Sequence, residues 1–92
     1  MKPIEIAREV LDRSGAMVAR PRKNAPGQYD AKPWATGNHR GWVLLDATTA
    51  GAMVAVYDAI GPDAQAKYDT FDLLRAVDIS WKVLARAKGG AR

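Results

Sequence analysis

The 92-residue chain has no cysteine, one histidine and one phenylalanine. Without cysteine there are no disulfides, no thiol catalysis and no zinc or iron–sulfur site built on thiolates. His39 stands alone, so a multi-histidine metal site within one chain is also excluded. No apolar run approaches the roughly 18 residues that a membrane span needs, and no signal-peptide core opens the sequence. A soluble, cytoplasmic chain is expected. Catalytic patterns are missing too. Ser14 and Ser80 are the only serines, and neither sits in a Gly-x-Ser-x-Gly elbow. There is no Gly-x-x-x-x-Gly-Lys-Ser/Thr phosphate loop and no Gly-x-Gly-x-x-Gly. Asp46, Asp58, Asp63, Asp69, Asp72 and Asp78 lack the alternating spacing and glycine turn of a calcium loop. The expected protein is not an enzyme and needs no cofactor or metal.

What remains is the composition of a small folded domain: 48% of residues are hydrophobic and 26% charged. One domain over residues 1–92 is expected, and a core this small gains stability from pairing. The net charge of +4 is spread unevenly. Arg13, Arg20, Arg22, Lys23, Lys32 and Arg40 face only Asp30 in the middle of the chain. The six aspartates from Asp46 to Asp78 meet only Lys67 and Arg75. Lys82, Arg86, Lys88 and Arg92 then make the C-terminal tail basic. Such asymmetry points to an anionic partner or to charge pairing within a fold or dimer, beside the plain alternative of a mixed solvated surface.

Three segments carry helical periodicity. Residues 3–14 begin with Pro3, which suits a first helical turn, place Ile4, Ala7 and Leu11 on one face, and reach Gly15 as a C-terminal cap. Asp46 is an N-cap for a helix over 47–60, rich in alanine and stopped by Gly61-Pro62. A short helical turn fits 62–68. Asp69 or Thr70 opens a last helix over 70–88, with Leu73, Leu74, Val77, Trp81 and Leu84 as its apolar face. The expected core joins Leu11, Val43, Leu45, Met53, Tyr57, Ile60, Leu74, Val77, Trp81 and Leu84, with Trp42 as a further anchor. Ile79 interrupts the polar face of the last helix and is the expected contact of a symmetric homodimer.

Between the first two helices the periodicity fails. Residues 20–41 hold Pro21, Pro26, Pro33, Gly27, Gly37 and Gly41 and read as a long basic loop, with turns at Pro26-Gly27 and Thr36-Gly37-Asn38. Residues 17–19 and 42–45 are short enough to pair as a hairpin with this loop at its tip. The fold expected is mainly α: about three helices and a short turn of helix, a long basic loop and at most a short hairpin. A helix-turn-helix over 47–68 is disfavoured, because the acidic segment 46–78 would be repelled by a phosphate backbone.

The loop is the expected contact surface. Arg20, Arg22, Lys23, Lys32 and Arg40 alternate with Tyr29, Trp34 and His39, which pairs cations with aromatic faces. Such a set can grip a protein partner, with Trp34 as the hot spot. Together with the basic tail it can instead neutralise phosphates and stack on bases. The plain alternative is a surface loop pinned to the helices by Trp34.

Trp42-Val43-Leu44-Leu45-Asp46, the run Ala50 to Ala59, Ala66-Lys67-Tyr68, and Leu74, Val77, Ile79 and Trp81-Lys82-Val83 resemble small uncharacterised accessory proteins of actinobacterial phages and prophages. The resemblance spans residues 42–83 and supplies no catalytic residue. It implies a phage-encoded protein that acts by binding. The reading is a small non-catalytic interaction protein that binds a host or phage protein. Its alternative is a nucleic-acid-binding protein that uses loop 20–41 and the basic tail.

Overall fold

The computed structural model describes residues 1–35 and 37–90, with side chains as far as residue 87. Pro3 opens helix α1 (Pro3–Arg13), and the Glu5 carboxylate accepts from the Lys2 backbone N–H at 2.7 Å. The helix ends one residue earlier than Gly15 predicts. Ser14 takes the left-handed cap conformation (φ 55°); its N–H donates to Leu11 O and the Gly15 N–H to Val10 O, each at 3.2 Å.

Strands β1 (Met17–Pro21), β2 (Tyr29–Pro33) and β3 (Val43–Leu45) then form an antiparallel sheet in the order β2-β1-β3. This corrects the mainly α fold and the long loop: the molecule is α+β. The pairing of 17–19 with the segment before Asp46 occurs, with Met17 opposite Leu45. The unexpected strand is β2, inside the presumed loop, with Val18 opposite Lys32 and Arg20 opposite Asp30. Its five residues carry Asp, Lys and a terminal Pro, so its own sequence has little strand character. It forms because the Pro26-Gly27 turn, with Gly27 at φ 82° and the Gln28 N–H on Ala25 O at 3.0 Å, folds it back on β1. Pro33 closes the strand on the sheet edge, where a missing N–H is tolerated. The other expected turn includes Thr36, which lies outside the described residues.

The Asp46 carboxylate caps helix α2 (Ala47–Ala59) by accepting from Thr49 N–H at 2.8 Å. That bond, then one to the Thr49 hydroxyl, holds the carboxyl below its usual range. Gly61 (φ 79°) makes the corner into α3 (Gly61–Tyr68), a full two turns of helix rather than one. Helix α4 (Leu73–Gly90) starts three residues later than expected. Asp72, rather than Asp69 or Thr70, caps it, accepting from Arg75 N–H at 2.8 Å. Asp69 instead accepts from the Tyr57 hydroxyl at 3.1 Å.

Helix α2 packs against both α1 and α4. Its small residues Ala50 and Ala52 allow that close approach. The core joins Ile4, Ile6, Ala7 and Val10 of α1 to Met17, Ala19, Tyr29 and Leu45 of the sheet, and to Met53, Val56, Tyr68, Leu73 and Ala76. Leu45 and Met53 are buried as expected, and Val43, Tyr57, Ile60, Val77 and Leu84 pack against the core's edge. Leu11, Leu74 and Trp81 are 39%, 64% and 43% exposed, which removes them from the core. On α4 the inward stripe is Leu73, Ala76 and Ser80 instead. Apolar residues cover so much of that helix that periodicity alone cannot select the stripe. The selection is made by Tyr68, whose hydroxyl lies 2.8 Å from the buried Ser80 hydroxyl, which donates in turn to Ala76 O at 2.7 Å.

Leu73→Ala is expected to cost about 2–5 kcal/mol and Leu11→Ala under about 1 kcal/mol, read from urea midpoints. A second test concerns pH. Burial, opposed by the Ser80 hydrogen bond, raises the Tyr68 hydroxyl above its ordinary value of about 10. Ionisation then favours the unfolded chain, so stability is full below about pH 10 and falls as pH rises beyond it. Tyr68→Phe lowers stability at neutral pH and flattens that alkaline decline in chemical denaturation from pH 8 to about 11.

Candidate functional site

Residues directly opposed in an antiparallel sheet share a face. Met17, Ala19, Tyr29, Ala31, Val43 and Leu45 therefore form one face, which is the core side. Val18, Arg20, Asp30, Lys32 and Leu44 form the other. It is covered by its own long side chains and by the chain that follows β2. Lys32 Nζ donates to Asn38 O at 2.9 Å, and the Asn38 side chain accepts from Arg40 N–H at 2.9 Å. This fastens residues 37–40 near the outer face. Trp34 leaves β2 with its N–H on Ala16 O at 3.0 Å.

Trp42 is the centre of the outer face. The Arg20 guanidinium lies 4.5 Å and the Lys32 ammonium 4.6 Å from its ring centroid. Expected as a core anchor, Trp42 is half-buried on the opposite side of the sheet from the core, packed against two cations. Val18, 1% exposed, lies beneath this layer with Lys32 and Leu44 as its cross-strand neighbours. Arg22 pairs with Asp30 at 3.0 Å, and Arg20 approaches the same carboxylate at 4.0 Å. Lys23, exposed, borders a hollow with Arg20, Pro21 and Asp30. Trp34 is 50% exposed and stacks on His39, with ring centroids 5.1 Å apart and planes 26° apart. That stack turns His39 Nδ1 inward, without a hydrogen-bond partner among the described residues. Trp34 also borders a hollow of about 320 Å³ with Arg13, Gly15, Ala16 and Pro33.

The fold thus gathers Arg20, Arg22, Lys32, Trp34 and His39, with Lys23 and Arg40 exposed at the rim. Tyr29 is different. It is 6% exposed, its ring is in the core, and its hydroxyl accepts from Leu73 N–H at 2.8 Å. It belongs to the structure rather than to the contact surface. Ile79 is half-buried and borders an apolar hollow with Val56, Ile60, Tyr68, Phe71 and Val83. It does not project from a free helix face. The basic tail falls partly outside the description: the side chain of Lys88 and all of Arg92 are not among the described residues. Sequence reasoning missed Trp42 and the exposed Leu44 as outer-face residues. The signal was parity: both are an odd number of residues from the buried Leu45 or adjacent to it, which in a strand means the other face.

Among the described residues no group of three or more His, Asp or Glu side chains is placed to hold a metal ion. No helix described is long and apolar enough to cross a membrane. No protein-family model, curated protein or solved structure matches this chain.

The two outer tryptophans differ in what they support. Trp42→Ala strips two cation–π contacts from Arg20 and Lys32 and removes a half-buried ring, with an expected cost of about 1–3 kcal/mol. Trp34→Ala costs under about 1 kcal/mol by the same urea measurement, because half of its surface already faces water.

Proposed function

We propose that this protein is a non-catalytic binding module that contacts an acidic surface of a protein partner through the outer face of its sheet. The observation that carries this reading is Trp34. It is a half-exposed indole, held in one orientation by stacking on His39, on a face whose cations outnumber its carboxylates. An exposed, stacked tryptophan on a face that also carries arginine and lysine has the composition of an interface hot spot. The partner is a host or phage protein in this reading. A phage or prophage origin is supported by the resemblance of residues 42–83 alone.

Nucleic acid is the second reading, favoured by five cations (Arg20, Arg22, Lys23, Lys32, Arg40) against Asp30. The detailed arrangement weighs against it. Both cations nearest Trp42 already sit on its ring, so it offers no open stacking platform. Asp30 lies inside the basic cluster, where a phosphate chain would meet it.

The test places a photo-crosslinking residue at position 23 and exposes the protein to host lysate, with and without Trp34→Ala. Discrete protein adducts are expected, lost in Trp34→Ala while the melting temperature moves by less than about 4 °C. In parallel, a fluorescent oligothymidine is titrated at two salt concentrations. Tight binding with a steep salt slope assigns the face to nucleic acid. Intact adducts together with a destabilised Trp34→Ala make that indole a structural pin and overturn the reading.

A further inference from the structure

Helix α4 carries more apolar surface than the core uses. Its inward stripe is Leu73, Ala76 and Ser80. A second stripe, Leu74, Val77, Trp81 and Leu84, runs beside it with spacings of three, four and three, the seam pattern of a helix that packs on another helix. Leu74 is 64% and Trp81 43% exposed, while Val77 and Leu84 lie at the margin of the core. From Trp81 to residue 87 every residue except Leu84 is exposed, so the C-terminal half of the helix stands clear of the body.

We propose that two copies of this chain pair through this stripe, with their α4 helices antiparallel about a two-fold axis at Ile79. Two features of the helix select that occupant and orientation. The first is register. The stripe is symmetric about position 79: Leu74 and Leu84 are equally distant from it, and so are Val77 and Trp81. Antiparallel pairing therefore sets Leu74 on the partner's Leu84 and the small Val77 on the large Trp81 of the partner subunit, twice each. Parallel pairing sets one tryptophan against the other at the same level. The second is charge. Asp78 and Lys82 form an ion pair at 2.9 Å on the flank of the stripe, almost centred on the same axis. The antiparallel arrangement brings Asp78 toward the partner's Lys82 and Lys82 toward the partner's Asp78. The parallel arrangement leaves the two ion pairs on opposite sides of the seam, where neither meets the other.

The body of the protein accommodates the pairing. At the start of α4, Leu74 borders an apolar hollow formed with Pro21, Tyr29, Val43 and Leu73. The partner's Leu84 arrives at this end of the helix and has that hollow beside it. The seam from Leu74 to Leu84 is about 15 Å long at 1.5 Å per residue, so the contact is small and a micromolar dimer is expected. Ile79 marks the axis by position only; its side chain faces the hollow shared with α3. The proposal concerns a different element from the sheet face and does not depend on the partner assigned there.

Sedimentation equilibrium from about 1 to about 500 µM tests the association, with Leu74→Glu as the variant. A monomer–dimer equilibrium is expected. Leu74 is exposed, so its substitution leaves the far-ultraviolet spectrum and melting temperature of the dilute protein nearly unchanged while weakening the dimer at least about tenfold. The absence of cysteine makes introduced thiols a clean reporter of orientation. Under oxidation a mixture of Leu74→Cys and Leu84→Cys chains is expected to crosslink to each other, and neither chain to itself. A monomer throughout the range, a dimer indifferent to Leu74→Glu, or self-crosslinking of either single-thiol chain overturns the proposal.

Discussion

Tyr29 is the joint on which the architecture rests. Its backbone exchanges hydrogen bonds with Met1, N–H to O at 2.8 Å and the reverse at 2.9 Å, which ties the segment ahead of α1 to the edge of the sheet. Its position opposite Pro21 closes the β1–β2 hairpin. Its ring lies in the core, and its hydroxyl accepts the Leu73 N–H, one of the free donors at the start of α4. A single buried tyrosine, through its backbone and its hydroxyl, therefore joins the first segment, the sheet and the last helix. The Asp72 carboxylate takes the Arg75 N–H of the same turn, so the long helix starts from a fixed point.

With the sheet held in this way, its two faces are committed to different work. One is closed by α1 and α2. The other is covered by residues 37–40 and by its own side chains, and long amphipathic ones fill that layer well. Lysine and arginine stems cover apolar surface while their charged ends stay wet. Here Arg20 and Lys32 lie against Trp42, and Val18 is dry beneath them. The basic residues of this face are thus partly a roof for a thin second core. Trp34, stacked on His39 and half exposed, is the aromatic side chain that the roof leaves open.

The same division appears in α4. Leu73, Ala76 and Ser80 meet the body, and Tyr68 fixes that choice through its bond to Ser80. Once those residues face inward, Leu74 and Trp81 must face outward, because their positions on the helix are set by its pitch. The ion pair of Arg8 and Asp58 at 2.6 Å joins α1 to α2 across the surface, but both side chains are about half exposed and its contribution to stability is small. The interior depends instead on close approach at the alanines of α2.

Local sequence determined the helices, because each carries its own signals. Pro3, the Asp46 cap, the Gly61 corner and the aspartates before α4 act over three or four residues and need no distant partner. The basic and aromatic character of residues 20–41 was equally legible, since composition survives any fold. Strand β2 was not legible: Asp30, Lys32 and Pro33 have little strand preference, and the strand exists through pairing with β1. Nor was the burial of Tyr29 or the outward position of Trp42, which follow from which face of that sheet receives the helices. Periodicity gave the apolar stripes of α4 but not their direction, because a helix with two adjacent stripes can turn either one inward. Only the fit of Tyr68 to Ser80 and of Leu73 to the core decided that, and these contacts lie beyond the reach of helical periodicity, the bond from Leu73 to Tyr29 spanning 44 residues.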